Sequence, residues 1–110
     1  MDPRPINGSC LCGQVTFTVT QPFLFFQYCH CSRCQKISGS AHAANIFVKV
    51  EQFQWTSGQE LVNRYELPTA KHYCSAFCTV CGSRMPWQSR NGRYVLVPAG
   101  TLDDDPEAGP

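Results

Sequence analysis

The sequence predicts an all-β domain of short strands, and three observations carry that expectation. Apolar and hydroxyl side chains alternate through residues 15–20, strand-like runs recur between turn-forming residues along the rest of the chain, and no segment shows helical periodicity. At 110 residues there is material for one hydrophobic core and not two, so a single domain is expected over 1–110. A core of that size leaves a thin margin of stability, which cross-links or metal ions would reinforce.

In order along the chain, Val15, Phe17 and Val19 fall on one face of the first strand and Thr16, Thr18 and Thr20 on the other, the pattern of a half-buried strand. Further strands are expected at 23–28, 42–48, 61–65, 71–77, 85–88 and 94–97, where aromatic and β-branched residues gather. Pro22, Ser57-Gly58 and Leu67-Pro68-Thr69 supply breaks between them. Between the last two strands, Arg90-Asn91-Gly92-Arg93 places Asn-Gly where a two-residue hairpin turn needs positive φ. From Asp103 to Pro110, three aspartates, two prolines and a glycine read as a solvated acidic tail.

Composition narrows the function. Hydrophobic residues make up 43% and charged residues 15%, the opposite of a disordered chain. Nine basic against eight acidic residues, with no run of Lys or Arg, leave no footprint for a nucleic acid. The opening MDPRPINGSC has no apolar stretch of the signal-peptide kind, and no apolar run is long enough to span a bilayer, so a cytoplasmic protein off the membrane is expected. In that reducing compartment, eight cysteines read as metal ligands in preference to disulfides.

Seven of the eight are clustered: Cys10-x-Cys12, Cys29-x-Cys31-x2-Cys34 and Cys78-x2-Cys81. A two-residue gap lets one tight turn aim two sulfurs at a single zinc ion, and Gly13 and Gly82, directly after two clusters, suit the backbone of such knuckles. Cys10, Cys12, Cys78 and Cys81 would complete a closed, structural tetrahedral site joining the first strand to the late hairpin. Cys29, Cys31 and Cys34 fill only three positions, and water, substrate or a distant side chain must supply the fourth. If Cys74, His42 or His72 does so, both sites are architectural; if the vertex is open, it suits catalysis. Zinc with three thiolates is a poor Lewis acid for water but takes soft ligands well, so a thiol substrate is favoured.

Four blocks, GSCLCGQVTF at 8–17, CHCSRCQKISGSA at 29–41, FCTVCGS at 77–83 and VPAGTLDD at 97–104, resemble the glutathione-dependent formaldehyde-activating enzyme family over nearly the whole chain. The resemblance implies a β-tent fold of antiparallel sheets around two zinc ions. Cys10, Cys12, Cys78 and Cys81 match the family's structural ligands, and Cys29, Cys31 and Cys34 its catalytic cluster. The implied reaction joins glutathione to formaldehyde as S-hydroxymethylglutathione, or cleaves that adduct, which is carbon–sulfur lyase chemistry. It also implies a further strand and aromatic segment beyond the LDD block, whereas this chain stops at Pro110, so part of the pocket is expected to be missing. Similar zinc cores occur in relatives such as centromere protein V that act through binding. The alternative function is therefore a non-catalytic zinc-stabilised module that binds a protein partner, and the fourth ligand of the middle cluster discriminates the two.

Outside the clusters, His30 lies between two candidate ligands, so its ring should point away from their sulfurs and leave a shuttle role at most. Cys74 is expected to be a buried thiol able to approach either metal. Arg33 and Lys36 flank the middle cluster and are candidates to hold a carboxylate of a small anionic thiol such as glutathione. Trp55, Trp87 and Tyr94 are read as core aromatics.

Overall fold

The alternation at 15–20 is realised in the structure: Val15, Phe17 and Val19 are buried and the intervening threonines half-exposed, and Thr16–Thr20 forms strand β2. In the computed structural model, which describes residues 5–104, β2 lies between β1 (Pro5–Ser9) and β5 (Phe53–Ser57) in a three-stranded sheet. A second sheet has the order β3-β4-β10-β9, from β3 (Phe25–Cys29), β4 (Ala43–Lys49), β10 (Tyr94–Pro98) and β9 (Trp87–Gln88). The third is β6-β7-β8, from β6 (Val62–Glu66), β7 (Cys74–Cys78) and β8 (Arg84–Met85). Every pairing is antiparallel, so the all-β expectation holds.

Several expectations need correction. The segment expected as one strand at 85–88 is two, because Pro86 has no N–H to continue a ladder; β8 pairs with β7 and β9 with β10, so the chain changes sheet there. The strand expected from Lys71 begins only at Cys74; residues 67–73 form a loop closed by the Leu67 N–H donating to the Tyr73 carbonyl at 3.1 Å. The β9–β10 hairpin forms, but with a wider turn than two residues: the Ser89 N–H donates to the Tyr94 carbonyl at 2.8 Å, leaving four residues between. Strand β1 has the turn-like composition Asn7-Gly8-Ser9 yet pairs fully with β2, and a side chain at Gly8 would strike the Phe17 ring lying against the backbone. One helix, α1 (Ser32–Ser38), departs from the expectation of none; at seven residues, with only Cys34 buried, it is too short to show a period.

Two core clusters meet along the β1-β2-β5 sheet. Phe17, Val19, Ile46, Val48, Val95 and Val97 fill the space against the second sheet, and Cys10, Val15, Ala76, Cys78 and Met85 that against the third. Trp55 packs against both clusters, and its ring sits edge-on to Phe17 with centroids 6.1 Å apart. Leu102 bridges to Gly8, and the Ser9 hydroxyl donates to Asp103 at 2.8 Å, so the first residue of the acidic segment is held against β1; residues 105–110 of that segment lie outside the described residues. Phe17, 1% exposed, is the largest fully buried side chain of the first cluster. Phe17→Ala should cost about 3–5 kcal/mol, read as a lower urea midpoint with metal and reductant held constant, and a loss under about 1 kcal/mol would contradict this view of the core.

Candidate metal centre

Each cysteine pair of the four-cysteine set, Cys10/Cys12 and Cys78/Cys81, sits in a hairpin connection whose backbone folds back on itself. After β1, the Cys10 N–H donates to the Val15 carbonyl at 3.1 Å and the Gly13 N–H to the Cys10 carbonyl at 3.0 Å. After β7, the Cys78 N–H donates to the Ser83 carbonyl at 2.9 Å and the Gly82 N–H to the Cys78 carbonyl at 2.8 Å. Gly13 and Gly82 have φ of 79° and 80°, the left-handed conformation that side chains disfavour, which is why glycine follows each pair. The two turns face each other and bring the sulfurs of Cys10, Cys12, Cys78 and Cys81 within 4.8 Å of one another.

The spacing suits a tetrahedral ion. Four sulfurs around zinc at ~2.3 Å stand roughly 3.8 Å apart; here Cys10 and Cys12 are 3.4 Å and Cys12 and Cys78 3.9 Å apart, and no disulfide joins any cysteine. Amides and a hydroxyl support the sulfurs: the Val15 N–H donates to Cys10 Sγ at 3.4 Å, and Ser83 Oγ lies 3.2 Å from Cys81 Sγ while accepting from the Leu11 N–H at 2.9 Å. The Ser83 hydroxyl, followed by backbone N–H groups, draws the Cys81 thiol down to about 5. Ser83 was missed in the sequence reading, and its signal was its place directly after the Cys-x2-Cys-Gly knuckle.

The middle cluster is built differently. Cys29 ends β3, Cys31 caps α1 and Cys34 lies one helical turn further on, so their sulfurs converge within 4.8 Å by local geometry alone. Cys29 and Cys31 are 3.5 Å apart at Sγ. The Cys34 backbone N–H leads in drawing Cys31 down to about 7, while burial, reinforced by Cys29 and Cys31, pushes Cys34 up to about 12. Three sulfurs so close, one favouring the anion and one opposing it, form a donor set whose conflict a bound cation relieves. Among the described residues the group consists of these three cysteines alone.

None of the candidates for a fourth ligand joins the three sulfurs among the described residues. The Cys74 sulfur accepts from Arg64 Nη2 at 3.2 Å and lies 4.0 Å from a Glu66 carboxylate oxygen. His42 stacks on Tyr28 at 4.3 Å, next to exposed His30 at 5.4 Å. His72 instead lines an open cleft of about 520 Å³ that Cys29 and Cys34 border. Arg33 lines the cleft as expected, but Lys36 does not; the second cation there is Lys71, brought by the 67–73 loop. Tyr73 was also missed: its ring lies 6.0 Å from the Arg33 guanidinium, and burial, followed by the adjoining Cys34 thiol, keeps its phenol protonated well above the usual range. Trp87 lines the cleft, whereas Trp55 stays in the core.

The glutathione-dependent formaldehyde-activating enzyme profile matches residues 5–110. The chain belongs to this family. A Halomonas elongata (strain ATCC 33173 / DSM 2581 / NBRC 15536 / NCIMB 2198 / 1H9) protein named after the same family is 32% identical over 79 residues, covering 64% of this chain and 50% of that protein, so the chain spans about half the length of this curated relative. A crystal structure of a Rhodobacter sphaeroides protein superposes with a TM-score of 0.73 at 23% identity, covering 91% of this chain and 90% of that one, a likeness of fold.

For this member of the formaldehyde-activating family, the two clusters should respond differently to mutation. Cys81→Ser breaks a set that ties two hairpins together and should leave the purified protein largely unfolded by circular dichroism. Cys31→Ser, at an exposed helix start, should stay within about 1 kcal/mol of the parent in unfolding free energy. Equal destabilisation by both would contradict the assignment.

Proposed function

We propose that the chain is a zinc-dependent carbon–sulfur lyase of the S-hydroxymethylglutathione synthase type, acting on the adduct of a small thiol and an aldehyde, with glutathione and formaldehyde as the pair the family name supports. The observation that carries this reading is the three-cysteine cluster bordering a cleft that also holds Arg33, Lys71 and Tyr73. In the forward direction a bond forms between the thiol sulfur and the carbonyl carbon. The C=O π pair moves to oxygen, which takes up a proton as the thiol gives one up, with no net change of oxidation state. Cleavage is the reverse.

Cys10, Cys12, Cys78 and Cys81 would hold one zinc as a structural tie, and Cys29, Cys31 and Cys34 a second. Bound there, the second ion supplies a soft site that favours the thiolate form of a substrate thiol. The chain's own groups do the remaining work. The cleft volume of about 520 Å³ falls in the range of small-molecule sites, roughly 300–1,000 Å³. Arg33 and Lys71 carry positive charge to the carboxylates of an anionic tripeptide thiol. Tyr73, beside Cys34 on the cleft wall, would donate its O–H to an aldehyde oxygen as negative charge builds on it.

Four measurements test this. Freshly purified protein should contain two zinc ions per chain, and one or none under non-stripping conditions would break the partition. Glutathione should bind at least about tenfold more tightly than S-methylglutathione, which cannot present a thiolate. Formation or cleavage of S-hydroxymethylglutathione should exceed the spontaneous rate and fall back to it in Cys31→Ser, and zinc-loaded protein with neither property would overturn the reading in favour of a binding module. Arg33→Ala should raise KM for glutathione roughly fivefold with kcat little changed, the worth of about 1 kcal/mol for an exposed ion pair; an unchanged KM would remove Arg33 from the site.

A further inference from the structure

The cleft has a neighbour that formaldehyde chemistry does not need. Cys34, Asn45, Tyr73 and Trp87 line both the cleft and an adjoining inner chamber of about 200 Å³. The remaining chamber walls are mostly apolar, with Ile37 from α1, Ala43 and Ala44 from β4, Met85 from β8 and Pro98 from β10, and with His42, Cys74 and Arg84 as ionisable groups among them. A hydroxymethyl group is little larger than a water molecule, whose share of volume is about 30 Å³, whereas an apolar cavity of roughly 150 Å³ already accepts a benzene ring. The chamber therefore exceeds what a one-carbon adduct fills. Ser75 also lines the chamber, and its hydroxyl, buried in a residue 5% exposed, has no hydrogen-bond partner among the described residues, which leaves one polar point on an otherwise mostly apolar wall.

We propose that this chamber receives the carbon substituent of the thiol adduct, so that the substrate class extends to adducts of apolar aldehydes with up to about seven carbons. The proposal rests on the reading that the cleft binds a thiol adduct. Its geometric basis is the shared wall: Cys34, Asn45, Tyr73 and Trp87 line both spaces, so the chamber lies directly beside a cluster cysteine and next to the place where a thiol adduct would be held. The bond changes match those for formaldehyde. Sulfur adds to the carbonyl carbon of R–CHO, the π pair and a proton go to oxygen, and the product carries R on the carbon between sulfur and hydroxyl.

The test separates substituent from thiol. S-benzylglutathione and S-methylglutathione both lack a free thiol, so their difference on the zinc-loaded protein, measured by calorimetry, reports the chamber. S-benzylglutathione should bind at least about tenfold more tightly, as expected for burying an apolar ring. Ala43→Leu, which fills the chamber, should bring the ratio close to one, and Ile37→Ala, which widens it, should keep or raise it, with circular dichroism and zinc content establishing that each variant folds. In turnover, the glutathione adduct of 3-methylbutanal should be cleaved with kcat/KM at least equal to that of the formaldehyde adduct. Equal binding of the two thioethers, or a benzyl preference untouched by Ala43→Leu, overturns the chamber even if the formaldehyde adduct is turned over. A benzyl preference abolished by Ala43→Leu in a protein that turns over neither adduct upholds the chamber as a binding site and overturns the lyase reading instead.

Discussion

Four sulfurs from two hairpins, gathered within 4.8 Å, are the constraint on which the rest of the fold depends. Thiols that close cannot all ionise unless a cation balances them, and sulfurs spaced for a tetrahedral ion suit such a cation. Cys10 and Cys12 belong to the turn after β1, Cys78 and Cys81 to the turn after β7, so the set brings the first sheet together with the third. Cys10 and Cys78 are also members of the apolar cluster between those sheets, with Val15, Ala76 and Met85. A small domain with short strands and little core thus gains its long-range order where sulfur and hydrocarbon are buried together.

From that tie the chain leads to the cleft. β8 leaves the cysteine hairpin paired with β7, Pro86 interrupts the ladder, and β9 joins β10 in the second sheet. Trp87 consequently lines the cleft, opposite in origin to Cys29 and Cys34, which arrive from β3 and α1. The proposed chemistry rests on a difference between the two sets. The four-cysteine set is partly buried and spans the fold, while the three-cysteine set is local, partly exposed and bordered by a cavity. The first can carry structure, and the second can face a substrate, because their surroundings differ although their side chains are the same.

The surroundings also distinguish the eighth cysteine. Cys74 is as buried as Cys10 and Cys78, but its sulfur faces Arg64 and Glu66, not another thiol. Burial leads in raising its pKa, with the Arg64 charge opposing that shift. Cysteine content alone therefore does not define a metal ligand; convergence does.

What the sequence determined by itself was local. Alternation at 15–20 placed β2, and the two-residue gaps with following glycines marked the knuckles, because turn geometry is encoded within a few residues and needs no distant partner. The division of seven cysteines into four and three was likewise legible from spacing, and the structure brings together the same two groups. Helix α1 was not legible, since seven residues give a period too little length, and β1 was hidden by a turn-like composition that pairing with β2 overrides. Only the tertiary structure decided the cleft and the inner chamber. Arg33, Asn45, Tyr73 and Trp87 come from a helix, a strand, a loop and a second strand, and Lys36, adjacent to the cluster in sequence, lies off the cleft while Lys71 reaches it. Residues separated by dozens of positions become neighbours through sheet order and packing, a long-range outcome that spacing along a chain does not record.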